Sequence, residues 1–118
     1  MNRFAFLFII YLLAAFWAYS SNNISVNSKA NLGEEWQQAV QEQKPILVYI
    51  YTDWCGTCKQ MGPLIDSLAY EYSDRYTYIK ANAEDSRSDE LSKAFKVRGY
   101  PTIYLFNPKT NKSYKVPL

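Results

Sequence analysis

Six consecutive apolar residues, Ile46-Leu47-Val48-Tyr49-Ile50-Tyr51, run straight into Thr52-Asp53-Trp54-Cys55-Gly56-Thr57-Cys58, and helical spacing begins directly afterwards. A β-branched and aromatic run without alternation predicts a strand covered on both faces. Beyond the cysteines, Met61, Leu64, Ile65, Leu68, Ala69 and Tyr72 mark the apolar side of a helix, with Pro63 inside it as an expected kink. Upstream, Asn31 followed by Glu34 has the character of a capping box. Leu32, Trp36, Ala39 and Val40 then keep helical spacing until Lys44-Pro45 stops it. Downstream, Tyr76 to Ala81 predicts a second strand and Ser88 starts a short helix carrying Leu91, Ala94 and Phe95. Gly99-Tyr100-Pro101 breaks the chain before a strand at Thr102 to Phe106. The turn Asn107 to Lys112 leads to a last strand at Ser113 to Val116. The expected order is α-β-α-β-α-β-β, an α/β fold with parallel pairing first, a terminal antiparallel hairpin and helices on both faces.

A chain of 118 residues holds one domain of ordinary size. Lys and Arg outnumber Asp and Glu by only 13 to 11, and the basic residues are scattered, so nucleic acid is not an expected partner. Histidine is absent, which excludes Ser-His-Asp and Cys-His catalysis, histidine metal sites and an imidazole pH switch. The two cysteines exclude a multi-bridge disulfide framework.

Residues 1–20 read as a targeting segment. One Arg precedes an uncharged apolar run from Phe4 to Ala18. A bilayer span needs roughly 20 apolar residues, so the run is short for a span and fits a signal-peptide core. Ala18-Tyr19-Ser20 offers small residues for cleavage after Ser20; an uncleaved anchor, helped by interfacial Trp17 and Tyr19, is the alternative. Either way the domain is expected outside the cytosol, periplasmic or secreted, with a possible membrane tether. Residues 21–30, rich in Asn and Ser, read as a polar tether, and residues 31–118 as the domain.

Cys55 and Cys58 stand where a buried strand gives way to a helix. Unpaired N–H groups and the positive end of the helix dipole lower a thiol's pKa there. By position Cys55 is expected to be the more exposed, and Cys58 lies one turn inside. This supplies an attacking and a resolving thiol, the requirement for exchange through a mixed disulfide. Zinc wants about four ligands, against two thiolates here. A structural bridge across so small a loop would stabilise little.

Trp54-Cys55-Gly56-Thr57-Cys58-Lys59, Pro63 and Arg98-Gly99-Tyr100-Pro101-Thr102 ahead of a β-run together resemble the thioredoxin superfamily, over roughly residues 32–116. The resemblance implies a thioredoxin-like fold, a mixed sheet of about four strands flanked by helices. It implies no cofactor beyond the redox-active Cys55–Cys58 disulfide and no metal. It makes Pro101 a cis-proline facing the sulfurs, with the Tyr100 backbone pairing with substrate. Trp54, Gly56 and Thr57 would complete the substrate-binding surface. Two departures stand out. Tyr49 occupies the place of a buried Asp that helps the resolving thiol lose its proton, leaving Asp53 as the candidate for proton transfer and Lys80 without its usual partner. The family's C-terminal helix after the last strand is also lacking, which leaves a sheet face open. Gly56-Thr57 differs from both the Gly-Pro of thioredoxins and the Gly-His of disulfide isomerases, the stretch Val97 to Phe106 is similar to both, and no KDEL-type signal follows.

The expected function is an extracytoplasmic reductase of protein disulfides, fed by a membrane-borne electron donor. The alternatives are an oxidase or isomerase using the same cysteines, or a non-catalytic thioredoxin-like binding module.

Overall fold

A computed structural model describes residues 26–118. The expected signal or anchor, and residues 21–25 of the expected tether, lie outside the described residues. The elements are α1 (Glu34–Gln41), β1 (Ile46–Tyr51), α2 (Gly56–Glu71), β2 (Thr77–Asn82), a 3-10 turn (Ser86–Ser88), α3 (Asp89–Ala94), β3 (Thr102–Asn107) and β4 (Lys112–Lys115). The sheet order is β2-β1-β3-β4. β1 runs parallel to β2, with Ile46 opposite Thr77, and antiparallel to β3, with Ile46 opposite Phe106. β3 and β4 form the hairpin, with Leu105 opposite Tyr114. This is the thioredoxin-like α/β architecture that the motifs imply.

The uninterrupted apolar run of β1 is explained by cover on both sides. Ile46, Val48 and Ile50 enter a core with Trp36 and Ala39 of α1, Leu91 of α3, and Phe95, Tyr104 and Phe106. Its aromatic centre is tight: the Trp36 ring lies 5.7 Å from Phe95 and 4.9 Å from Phe106. On the opposite face Tyr49 packs with Ile65 of α2 and Ile103, bordered by Leu47, Tyr51, Met61, Tyr78 and Val116. That second layer holds fewer buried residues than the first. Leu64 and Leu68 of α2 and Tyr114 of β4 remain 67%, 52% and 60% exposed.

Three local expectations are corrected. Helix α1 begins at Glu34, capped by Gly33 at φ 109°, a left-handed geometry that glycine adopts without strain. Asn31 makes no capping box; its Oδ1 accepts from the Gly33 N–H (3.4 Å) and from Gln37 Nε2 (3.0 Å). Residues 26–30 pack on the domain instead of trailing from it, because Val26 is buried in the main core and Ala30 lies against it. β2 and β4 are each displaced by one residue from the sequence reading, starting at Thr77 and Lys112.

Candidate active site

The site forms where β1 ends. Thr52 to Trp54 lead out of the sheet, and Cys55 is the N-cap residue of α2. Its Sγ accepts the backbone N–H of Cys58 at 3.2 Å, so the sulfur itself satisfies one of the helix's unpaired donors. The Cys55 carbonyl accepts from the Lys59 N–H at 3.1 Å. Cys55 and Cys58 are joined as a disulfide with Cα atoms 5.2 Å apart. The expected difference in exposure is small: Cys55 is 7% and Cys58 4% exposed, both buried. Gly56 and Thr57 between them are exposed.

The sequence motif places Trp54 beside the pair, and the structure turns it outward, 66% exposed. Its indole N–H donates to Glu84 in the loop after β2. Its ring meets that of Tyr100 edge-on, with centroids 5.9 Å apart. The Tyr100–Pro101 peptide is cis, as the resemblance implies. The loop is fastened from β3, where Thr102 Oγ1 donates to the Gly99 carbonyl at 2.6 Å. Trp54 and Tyr100, from two separate loops, thus frame one rim.

Behind Cys58 lies a cavity of about 290 Å³, lined by Tyr49, Thr52, Asp53, Gly62, Asp66 and Lys80 among others. Tyr49 is 1% exposed, and its hydroxyl donates to the Cys58 carbonyl at 3.2 Å. Burial above all, against the opposing Lys80 charge, pushes its phenol above the ordinary value of 10.0. It therefore stays protonated and serves as a donor, never as a base near neutrality. Asp53, exposed at the mouth, accepts from Asn82 Nδ2 at 3.3 Å.

Lys80 is not left without a partner, and this is a correction. Its Nζ lies 2.9 Å from Asp66 Oδ2 on α2, and Tyr78 donates its hydroxyl to the other oxygen of that carboxylate at 2.9 Å. The hydrogen bond from Lys80, reinforced by Tyr78, holds the Asp66 carboxyl below the ordinary 3.8. The same bond raises Lys80. Burial first, then Asp66, raises the Tyr78 phenol. The carboxylate missing from the strand has a counterpart on the facing helix. Sequence reasoning missed Asp66, Thr52 and Glu84. Asp66 was findable as one of two acids, with Glu71, within the apolar spacing of α2, and the one in its middle.

A disulfide-forming pair at the start of a sheet-covering helix, with a cis-proline loop whose Tyr100 meets the neighbouring Trp54, defines a dithiol–disulfide protein of the thioredoxin fold. The thioredoxin family model matches residues 27–116, and the chain belongs to that family. Over 70 residues it is 36% identical to a thioredoxin of Alicyclobacillus acidocaldarius subsp. acidocaldarius, a match covering 59% of this chain and 65% of that protein. Over 74 residues it is 39% identical to a protein disulfide-isomerase of Drosophila melanogaster, covering 63% of this chain and 14% of the isomerase. The chain thus spans just under two thirds of the one relative and a small part of the other. Among solved structures it is similar to thioredoxin f of spinach chloroplast in its short form, with a TM-score of 0.58 and 28% identity, covering 77% of this chain and 76% of that one. These likenesses support a thiol–disulfide oxidoreductase in the general sense.

Proposed function

We propose that the protein reduces disulfides of other proteins outside the cytosol. The observation that carries the dithiol chemistry is the Cys55 sulfur acting as cap of α2, a position that stabilises its thiolate once the pair is reduced and marks Cys55 as the attacking sulfur; the direction of electron flow is decided by the reduction potential of the pair. The Cys55 thiolate attacks one sulfur of the substrate disulfide. A Cys55–substrate disulfide forms, and the other substrate sulfur leaves as a thiolate and takes a proton. The Cys58 thiol then gives up its proton and attacks the Cys55 sulfur. The second substrate thiolate is released, and the protein is left as the Cys55–Cys58 disulfide. Two electrons have passed to the substrate, and an external dithiol must return them.

Asp53, at the mouth of the cavity that Cys58 lines, is the proposed acceptor of the Cys58 proton. Trp54, Gly56, Thr57, Tyr100 and Pro101 form the proposed substrate surface. An extended substrate segment would pair with the Tyr100 backbone while the Trp54 ring packs on it. Export, with residues 1–20 as signal or anchor, and a membrane-borne dithiol donor belong to the same proposal. Among the described residues no helix is long and apolar enough to cross a membrane.

The second reading, an oxidase or isomerase, draws support from the disulfide-isomerase relative. The deciding measurement is the reduction potential of the Cys55–Cys58 pair, equilibrated with defined thiol buffers. A value near about −270 mV supports the reductase, and one near about −120 to −180 mV supports the oxidant or isomerase. A pair that exchanges with no protein dithiol or disulfide in either direction, neither reducing insulin nor oxidising a reduced protein, leaves the fold as a binding module and overturns both.

A further inference from the structure

The exposed aromatic residues fall into two groups at opposite ends of the sheet. Trp54 and Tyr100 frame the cysteines, beyond the Tyr51 end of β1. Tyr70, Tyr72, Tyr76 and Tyr114 are 85%, 41%, 36% and 60% exposed, and the reaction uses none of them. The topology puts these four toward the Ile46 end. α2 finishes at Glu71, the chain turns, and the Thr77 N–H donates to the Pro45 carbonyl at 2.9 Å. β3 is antiparallel to β1, so its last residues and the turn into β4 lie at the same end, with Phe106 opposite Ile46 and Ser113 opposite Phe106.

Charge is unevenly distributed along the chain. The acidic residues stop at Glu90, while residues 91–118 hold Lys93, Lys96, Arg98, Lys109, Lys112 and Lys115 with no Asp or Glu. Lys109 and Lys112 flank the β3–β4 turn, exposed and without an ion pair among the described residues. The acids at that end are Glu42, Glu71 and Asp74; Glu42 is taken up by Thr77 (2.8 Å) and Lys44 (4.0 Å), and exposed Arg75 stands in the same turn as Glu71 and Asp74, so that Lys109 and Lys112 leave the end with a small positive excess. Finally, the Ser28 N–H donates to Asn111 Oδ1 at 3.0 Å, which fixes the start of the described chain beside this turn. The apolar run Phe4 to Ala18 precedes it by only a short polar stretch.

We propose that the Tyr70–Tyr72–Tyr76–Tyr114 end is a bilayer-facing surface. It lies in the headgroup layer of an anionic membrane in which residues 4–18 remain as an anchor, and it points the cysteines away from the lipid. This rests on the export reading above and selects the anchor over the cleaved signal. Tyrosine suits that layer because its ring is apolar while its hydroxyl stays wet. Lys109 and Lys112 supply attraction to anionic headgroups, effective within a Debye length of about 8 Å. A protein substrate would then meet the Trp54–Tyr100 rim unobstructed by the membrane.

The test uses the full chain in nanodiscs of phosphatidylcholine mixed with phosphatidylglycerol and carrying a gadolinium-chelating headgroup. Amide signals of residues 70–76 and 109–115 should broaden at least severalfold more than those of residues 54–57 and 98–100. Tyr70→Ser with Tyr114→Ser, or Lys109→Ser with Lys112→Ser, should reduce that contrast while the remaining spectrum reports an intact fold. Uniform broadening, or stronger broadening around the cysteines, in a chain that stays with the discs through alkaline carbonate overturns the orientation and leaves the anchor standing. Loss of the chain into the carbonate wash overturns anchor and orientation together. Insulin reduction by the same preparation reports on the redox reading independently of both.

Discussion

Replacing Tyr49 by Phe removes one oxygen from the structure and nothing else. The ring keeps its place between Ile65 and Ile103 and its stacking on Tyr51, with centroids 5.6 Å apart. What is lost is the 3.2 Å hydrogen bond that ties β1 to the carbonyl of Cys58. A neutral buried hydrogen bond contributes about 1 kcal/mol net, and removing this donor leaves a carbonyl that α2 still satisfies along its own axis. For a domain of this size that loss corresponds to a Tm lower by about 4–8 °C. Tyr49→Asp is a far larger insult. Deleting a ring that is 1% exposed costs about 3–5 kcal/mol, out of a total near 5–15 kcal/mol. The new carboxylate would find Lys80 already held by Asp66, and would stay protonated or force the site open. The assay is thermal unfolding of the oxidised parent and both variants, followed by rapid-mixing decay of the mixed disulfide across pH. Tyr49→Phe should be mildly destabilised with an unchanged pH profile, because a phenol held above its ordinary value cannot be the base. A Phe variant at least as stable as the parent would show that the hydroxyl does not anchor the helix. A Phe variant whose pH profile moves would show that Tyr49 takes part in proton transfer, contrary to the argument here.

Cys55→Ser should abolish disulfide reduction and Cys58→Ser should accumulate covalent substrate complexes; mass spectrometry after alkylation near neutral pH should find Cys55 modified first, and preferential labelling of Cys58 would reverse the roles. Asp66 has a folded pKa below 3.8, so its pairing contributes stability above that value, and the contribution is lost as pH falls through the folded pKa. For a pair this exposed the effect is about 0.5 kcal/mol. The Tm gap between parent and Asp66→Asn should accordingly be small near neutrality and close on acidification; a gap that widens in acid would contradict the pairing. N-terminal sequencing of the exported protein should begin at Met1 if the anchor is retained and at Ser21 if it is cleaved, and a soluble full-length cytosolic product would defeat both.

Much of the site is legible in the sequence because its pieces are local. The strand, the capping cysteine and the resolving cysteine occupy consecutive positions from Ile46 to Cys58, and the structure returns β1 with the expected bounds. The cis-proline loop is likewise contained in a few residues. What escapes is decided by groups far apart in the chain. Lys80 and Asp66 stand on different elements, and their pairing depends on how α2 lies across β2. Val26 reads as part of a polar stretch until a core assembled from residues 32–106 takes it in. The cap of α1 fails for a subtler reason: Asn31 can bond to its own turn, and Gly33 reaches a geometry that makes a side-chain cap unnecessary.

The sulfur that caps α2 belongs at once to a redox couple and to a helix terminus, so electron affinity and helix fraying share one atom. A thiolate accepts the Cys58 N–H more strongly than a disulfide sulfur does. The first turn of α2 should therefore be firmer when the protein is reduced. Linkage works in the other direction too: any contact that stiffens residues 55–58 favours the electron-rich form and makes the pair the stronger oxidant. A substrate lying along the Trp54–Tyr100 rim would be such a contact. The potential of the bound protein then differs from that of the free one, and docking itself tunes how readily the electrons leave.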